Sequence, residues 1–229
     1  RPWENGWAEP QSPLDAREEH HYPYLVPFAY GRGESDDVLD TAAQYQKAAK
    51  PKKETGHPII VNEYGWLWLK RNGEPTYLTE TGYAKYLPEA GAEERRRFYA
   101  RNLAGQTEAM RATRRYAGIL HFCGLTHSLP DCYTSDHFLD LETLEFEPHF
   151  RERVRHAFAP IGLSIDIETS RFRPEAKLNV PVVVVNDLAE PWSGKVRLRL
   201  KTDFEALIDT WRLAEVESYG RTVVQQEIV

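Results

Sequence analysis

Glu63 closes the run Pro58-Ile59-Ile60-Val61-Asn62-Glu63, and Tyr64-Gly65-Trp66 follow it directly. The apolar, β-branched part reads as a buried strand of a parallel sheet. A carboxylate at the last position of such a strand faces the mouth where an α/β barrel does its chemistry. Gly65 lets the backbone turn away tightly. The aromatic neighbours offer flat apolar faces that suit the C–H face of a sugar ring. Glycosidic-bond cleavage uses carboxyl groups in pairs: in retaining enzymes one attacks the anomeric carbon and the other protonates the leaving oxygen. Glu63 is placed for one of these two roles. The duller alternative is a structural carboxylate in a buried ion pair at a strand end, and a bare Glu-Tyr-Gly does not separate the two.

The elements that would hold Glu63 can be read in order. Glu19 to Phe28 is short and aromatic and contains a strand end. Ser35 before Asp36 and Asp37 predicts a helix N-cap with an acidic first turn. Val38, Leu39, Ala42, Ala43, Tyr45 and Ala49 continue that helix, which stops before Pro51. After the Glu63 strand a long loop runs from Tyr64 to about Gly91. A second helix is predicted from Glu93 to about Thr113, with the apolar stripe Tyr99, Leu103, Gln106 and Met110. Tyr116 to Phe122 reads as another buried strand, followed by a long loop to about Glu147. Pro148 then opens a third helix at its first position.

Alternating strands and helices predict a parallel α/β arrangement. The long aromatic loops follow strands, as they do on the active face of a (β/α)8 TIM barrel. Only three strand–helix units are legible, so residues 1–162 are expected to form the C-terminal half of such a barrel. From residue 163 the pattern changes to strands and turns. Leu178–Asn186, Lys195–Lys201 and Arg221–Val229 predict an immunoglobulin-like β-sandwich over 163–229, shorter than a whole one.

Composition narrows the field. The formal net charge of −6 over 229 residues argues against nucleic acid, which needs a basic face. No apolar run approaches a membrane span, and no membrane is expected. The chain opens on Arg1-Pro2-Trp3 without an initiator Met, which reads as a continuation of something preceding it. Cys123 and Cys132 are too few for a disulfide scaffold, and a bridge or two free thiols are both open. His20, His21, His121, His127 and His137, with Asp131 and Asp136, lack the tight spacing of a zinc motif, so no metal is expected. No phosphate-cradling loop and no nucleophile elbow occur, and no cofactor is expected.

The Glu63 segment resembles the seventh-strand nucleophile motif of retaining (β/α)8 glycoside hydrolases. It is most similar to glycoside hydrolase family 2, which holds β-galactosidases, β-glucuronidases and β-mannosidases. The resemblance implies hydrolysis of a β-glycosidic bond with retention, Glu63 acting as nucleophile. Glu19-His20-His21-Tyr22-Pro23-Tyr24 would end the sixth strand, and Tyr22, with Tyr24 second, would hydrogen-bond the nucleophile. Arg1 to Trp7 would be the loop after strand five, and Tyr116 to Phe122 strand eight. Where the family often presents a Trp, strand eight offers His121 and Phe122. His21, Tyr64, Trp66, Trp3 and His121 are the implied contacts to a carbohydrate substrate, with Trp68 and Trp7 behind them. The acid/base residue belongs to strand four, in a missing N-terminal half, so none is named. The family also implies an exported or periplasmic polysaccharide-degrading enzyme. The alternative is a non-catalytic carbohydrate-binding or scaffold protein on a degenerate barrel.

Overall fold

The computed structural model describes residues 6, 9–50 and 56–228. In chain order the elements are β1 (Arg17–His21), α1 (Leu25–Tyr30), α2 (Ser35–Val38), α3 (Thr41–Ala48), β2 (Ile59–Tyr64), α4 (Glu80–Tyr86), α5 (Ala92–Thr113) and β3 (Gly118–Ile119). There follow β4 (Phe138–Asp140), β5 (Glu145–Phe146), α6 (Pro148–Ala157), β6 (Ile161–Ile165), β7 (Leu178–Asn186), β8 (Trp192–Lys201), β9 (Ala206–Val216) and β10 (Arg221–Ile228). Trp3, Glu4 and Trp7 lie outside the described residues.

β1, β2 and β3 form a parallel sheet in that order. Among the described residues it is open, not a closed barrel. The expected stripe of α5, Tyr99, Leu103, Gln106 and Met110, is its buried face. It shares one apolar cluster with Val61 and Tyr64 of β2, Tyr24 and Phe28 of the first unit, and Leu67 and Trp68 beyond β2. β3 is shorter than the expected Tyr116–Phe122. It has a single neighbour, but the chain continues beside β2 through Leu120 N–H to Val61 O (2.8 Å) and Phe122 N–H to Tyr64 O (3.4 Å).

The predicted helix from Ser35 is broken in two. Asp40 accepts from Ala43 N–H and restarts the chain as α3. The same carboxylate accepts from Thr169 Oγ1 (2.7 Å), Ser170 Oγ (2.7 Å) and Ser170 N–H (3.0 Å), tying the segment after β6 to this helix. Burial opposes its charge, but these donors outweigh burial and hold Asp40 down at about 2. The long loop after β2 contains α4, and the loop after β3 contains the hairpin β4–β5. α6 begins at Pro148 as expected, capped by the Glu147 carboxylate on His149 N–H and Phe150 N–H.

The second unit pairs β10-β7-β6 and β8-β9, all antiparallel. β7 reads as a continuous apolar run because both its faces are covered. Val182 and Val184 pack with Val196, Ala214 and Val216 of the other sheet, while Val183 and Val185 pack on Ala112 of α5.

Arg111, in the last turn of α5, joins the two units. Its side chain is 6% exposed. It donates to Asp187 Oδ2 through Nε (3.1 Å) and an Nη (2.7 Å), and to Ala159 O (2.7 Å) and Ala157 O. Arg114 adds a second cation on Asp187. Asp187 is 41% exposed and keeps Arg114, so removing Arg111 mainly strands the carbonyls of Ala157 and Ala159. Arg111→Met is expected to lower unfolding stability by about 2 kcal/mol in urea titration. A loss under about 1 kcal/mol would mean that other contacts carry the junction.

Candidate functional site

The site begins with a register shift. Arg17, Glu18 and Glu19 lie beside Ile59, Ile60 and Val61, but His20 lies beside Glu63 and His21 beside Tyr64. Asn62 is therefore an extra residue on β2, a β-bulge. In an unbroken strand Glu63 would share the helix-packed face of Ile59 and Val61. The bulge moves it to the face of Ile60 and returns Tyr64 to the helix side. There Tyr64 is fully buried and its hydroxyl meets Thr107 Oγ1 of α5 at 2.5 Å.

On the freed face Glu63 meets side chains from β1 and its end. Tyr22 donates its hydroxyl to Glu63 Oε2 at 2.5 Å. His20 Nδ1 stands 2.9 Å from the same oxygen. His20 Nε2 stands 2.5 Å from Glu18 Oε1, which also accepts from Asn62 Nδ2 at 2.7 Å. Glu63 Oε1 has no hydrogen-bond partner among the described residues, and the side chain is 29% exposed. Burial first, and the bond to Glu63 second, push the Tyr22 phenol far above its ordinary range, so it stays a neutral donor.

Three rings gather beside this network. Trp66 lies 4.9 Å from Tyr22 and 4.8 Å from Trp68 between centroids. Trp66 sits at φ 78°, next to Gly65 at φ 124°. A left-handed conformation is uncommon for so large a residue, and such outliers collect at functional sites. Trp68 is buried, and its indole N–H donates to Phe122 O at 2.9 Å. Thr79 Oγ1 on Trp68 O and Tyr83 Oη on Leu67 O fasten the rest of this loop.

Of the residues expected at the site, Glu63, Tyr22 and Trp66 are brought together. The others stand elsewhere or lie outside the described residues. Tyr64 is turned into the helix layer by the bulge. His21 is buried on the opposite face of β1, bonded to Glu19 (2.8 Å) and edge-on to Tyr116. His121 packs against Phe150 and His137 rather than beside Glu63. Tyr24 is buried, its hydroxyl on Asn102 Oδ1. Trp3 lies outside the described residues. In their place stand His20, Glu18 and Asn62. The available signal was the period-two set Glu18, His20, Tyr22, which lines one face of a strand.

Cys123 and Cys132 are both free thiols. Burial, then the charges of Asp136 and Glu63, raise Cys123 to about 11, which keeps it protonated and a poor nucleophile. Among the described residues no group of three or more His, Cys, Asp or Glu side chains could hold a metal ion, and no helix is long and apolar enough to cross a membrane.

No family model matches the chain, and no curated protein does. The likeness to family 2 therefore rests on the Glu63 motif alone. Two solved structures share its outline weakly. SrfJ from Salmonella typhimurium is 9% identical, with a TM-score of 0.31, over 93% of this chain and 40% of that one. A cyclic α-maltosyl-(1→6)-maltose hydrolase from Arthrobacter globiformis, a glycoside hydrolase, is 9% identical, with a TM-score of 0.24, over 93% of this chain and 49% of that one. The chain spans less than half the length of either. At such scores neither carries an argument about its chemistry.

Burial lowers His121 to about 4 and holds His137 well below 6.5. A histidine depressed in the folded state takes up its proton on unfolding between the two values. Stability is then full above about 6.5 and falls as pH drops toward 4, by up to about 1.4 kcal/mol per pH unit for each ring. His121→Leu is expected to flatten this slope in denaturant titrations at pH 7, 6 and 5. An unchanged slope would show that His121 is not the group responsible.

Proposed function

We propose that this chain carries the nucleophile of a retaining β-glycoside hydrolase, and that the nucleophile is Glu63. The observation that carries the reading is the asymmetry of its carboxylate. Oε2 is held by two donors, Tyr22 and His20, while Oε1 has no partner among the described residues and the side chain is partly open to solvent. One oxygen is fixed and the other is free to react. Trp66 and Tyr22 present aromatic surface beside it, where an apolar sugar face stacks.

In this reading Glu63 Oε1 attacks the anomeric carbon and the glycosidic oxygen leaves with the bonding electron pair and a proton from a general acid. A water molecule, giving up a proton to the same group, then attacks the anomeric carbon of the glycosyl ester and frees the carboxylate. Two inversions give net retention. We place the acid/base outside these residues. Glu18 is the carboxylate that the hydrogen-bond chain reaches first, and His20 and Asn62 already occupy its Oε1. We take β1, β2 and β3 as three successive strands of a (β/α)8 barrel whose remaining strands come from outside the 229 residues, and β6 to β10 as part of an immunoglobulin-like sandwich. The edges of β1 and β3, open among the described residues, and the position of the site at the strands' C-terminal ends support this.

The test uses 2,4-dinitrophenyl 2-deoxy-2-fluoro-β-glycosides of the gluco, galacto and manno series. Dinitrophenolate departs without a proton, so labelling does not depend on the acid. One adduct is expected, on the peptide containing Glu63, and none in Glu63→Gln. Turnover of activated β-glycosides by Glu63→Gln should fall on the order of 10⁴-fold. An adduct on another carboxylate, or sugar binding with no adduct in any series, would overturn the assignment. The latter would favour a carbohydrate-binding protein.

Tyr22→Phe removes one hydrogen bond to a charged oxygen. The labelling rate is expected to drop roughly 10- to 100-fold with sugar binding little changed. A variant that labels at the parent rate would remove Tyr22 from the site.

A further inference from the structure

We infer that Glu18 is a positioning residue of this site, acting on Glu63 through His20. The inference rests on the nucleophile reading above for its consequence in catalysis. Its structural content stands apart from that reading.

β1 turns Glu18, His20 and Tyr22 toward one face, because alternate residues of a strand share a face. The imidazole of His20 bridges two carboxylates, Nδ1 at 2.9 Å from Glu63 Oε2 and Nε2 at 2.5 Å from Glu18 Oε1. Ionised carboxylates only accept hydrogen bonds. A neutral imidazole has one N–H and would leave one of these contacts between two acceptors. The imidazolium has two and satisfies both. Glu18 thus fixes two properties of the ring at once, its orientation and its charge.

The surroundings reinforce this. The side chains of His20 and Glu18 are 9% and 6% exposed. An ionised carboxylate so enclosed requires a partner. Asn62 Nδ2 donates to the same Glu18 oxygen that faces His20, which holds that oxygen on the ring. The Tyr22 and His20 rings form a T-shaped pair, with centroids 6.1 Å apart. The bulge residue Asn62 therefore has two tasks: its backbone re-aims Glu63, and its amide anchors the remote carboxylate.

The consequence is a fixed positive charge beside Glu63 Oε2. Without Glu18 the ring can relax to a neutral tautomer that either donates to Glu63 or turns away. With it, the cation stays in place while Glu63 is free, and while its other oxygen is esterified in the proposed intermediate. In this reading Glu18 acts by holding His20.

The experiment is ¹⁵N–¹H NMR of ring-labelled histidine in the complete chain at pH 7, with the His20 signals assigned by loss in His20→Gln. Wild type is expected to show His20 with protons on both ring nitrogens. Glu18→Gln, nearly isosteric but neutral, is expected to show one. Labelling of Glu63 by the activated fluoroglycoside should slow roughly 10- to 100-fold in Glu18→Gln. Glu18→Asp, which keeps the charge, should recover part of that loss. A wild-type His20 ring with one proton overturns the inference, and that measurement needs no variant to fold. A Glu18→Gln ring that keeps both protons and labels at the parent rate overturns it equally. Should wild type fail to label at all, the nucleophile reading falls, and the spectrum still decides whether Glu18 sets the state of His20.

Discussion

The site depends on a one-residue mismatch between two parallel strands. β2 must do two things that a regular strand cannot combine. Its apolar residues have to face α5, and its terminal carboxylate has to face away from it. Period-two alternation would put Glu63 on the side of Ile59 and Val61. The extra residue at Asn62 changes phase at the only place where this helps, after the last core valine and before the carboxylate. Tyr64 then rejoins the core, and its hydroxyl finds Thr107. Slipping the phase one residue earlier would turn Val61 out of the core. Slipping it one residue later would leave Glu63 in the helix layer without a cationic partner, which is costly for a charge.

β1 shows the same constraint from the other side. It carries five consecutive ionisable residues, Arg17 to His21, in a sheet with a buried face. Each face resolves its own charge. Glu18 and His20 pair toward Glu63, while Glu19 and His21 pair toward Tyr116. The spacing i, i+2 lets a carboxylate and an imidazole of one strand meet without help from a second element. A strand of this composition is stable because its acids and histidines alternate in step with its faces.

This explains what was legible in the sequence and what was not. β2, α5, β7 and α6 could be read because apolar periodicity and capping agree with their surroundings. β9 escaped because its pattern is inverted. Its inward set includes Thr210, Arg212 and Ala214, while Leu207, Trp211 and Leu213 face solvent. The break before α3 depends on Asp40 reaching Thr169 and Ser170, far along the chain. The contact of Tyr22 with Glu63 was legible from the strand-end motif and the resemblance it carries. The choice between His20 and His21 was not, since it turns on strand phase, and a bulge leaves no compositional mark at Asn62. Tyr64 was misplaced for the same reason, the assumption that a residue beside the carboxylate shares its surroundings.

The remaining question is whether Glu63 is a working carboxylate or a structural one, and the chain contains its own controls. Asp136 is a structural acid. Its side chain is fully buried, Oδ2 accepts from Arg71 and Thr126 N–H, and Oδ1 accepts from Phe138 N–H. Glu147 caps α6 with both oxygens, one on His149 N–H and one on Phe150 N–H. Each distributes its donors over both oxygens, because a buried acceptor left empty costs free energy. Glu63 does the reverse. Both donors converge on Oε2, and among the described residues none donates to Oε1, on a side chain that is partly open to solvent. That arrangement contributes less to folding than a symmetric one would, since a donor added at Oε1 would stabilise the ion further. It makes chemical sense if Oε1 must remain available to form a bond. The rings of Trp66 and Tyr22 beside it, and the left-handed turn that places Trp66 there, point the same way. On the proposed reading the clamped Oε2 is the spectator oxygen and Oε1 the one that forms the bond.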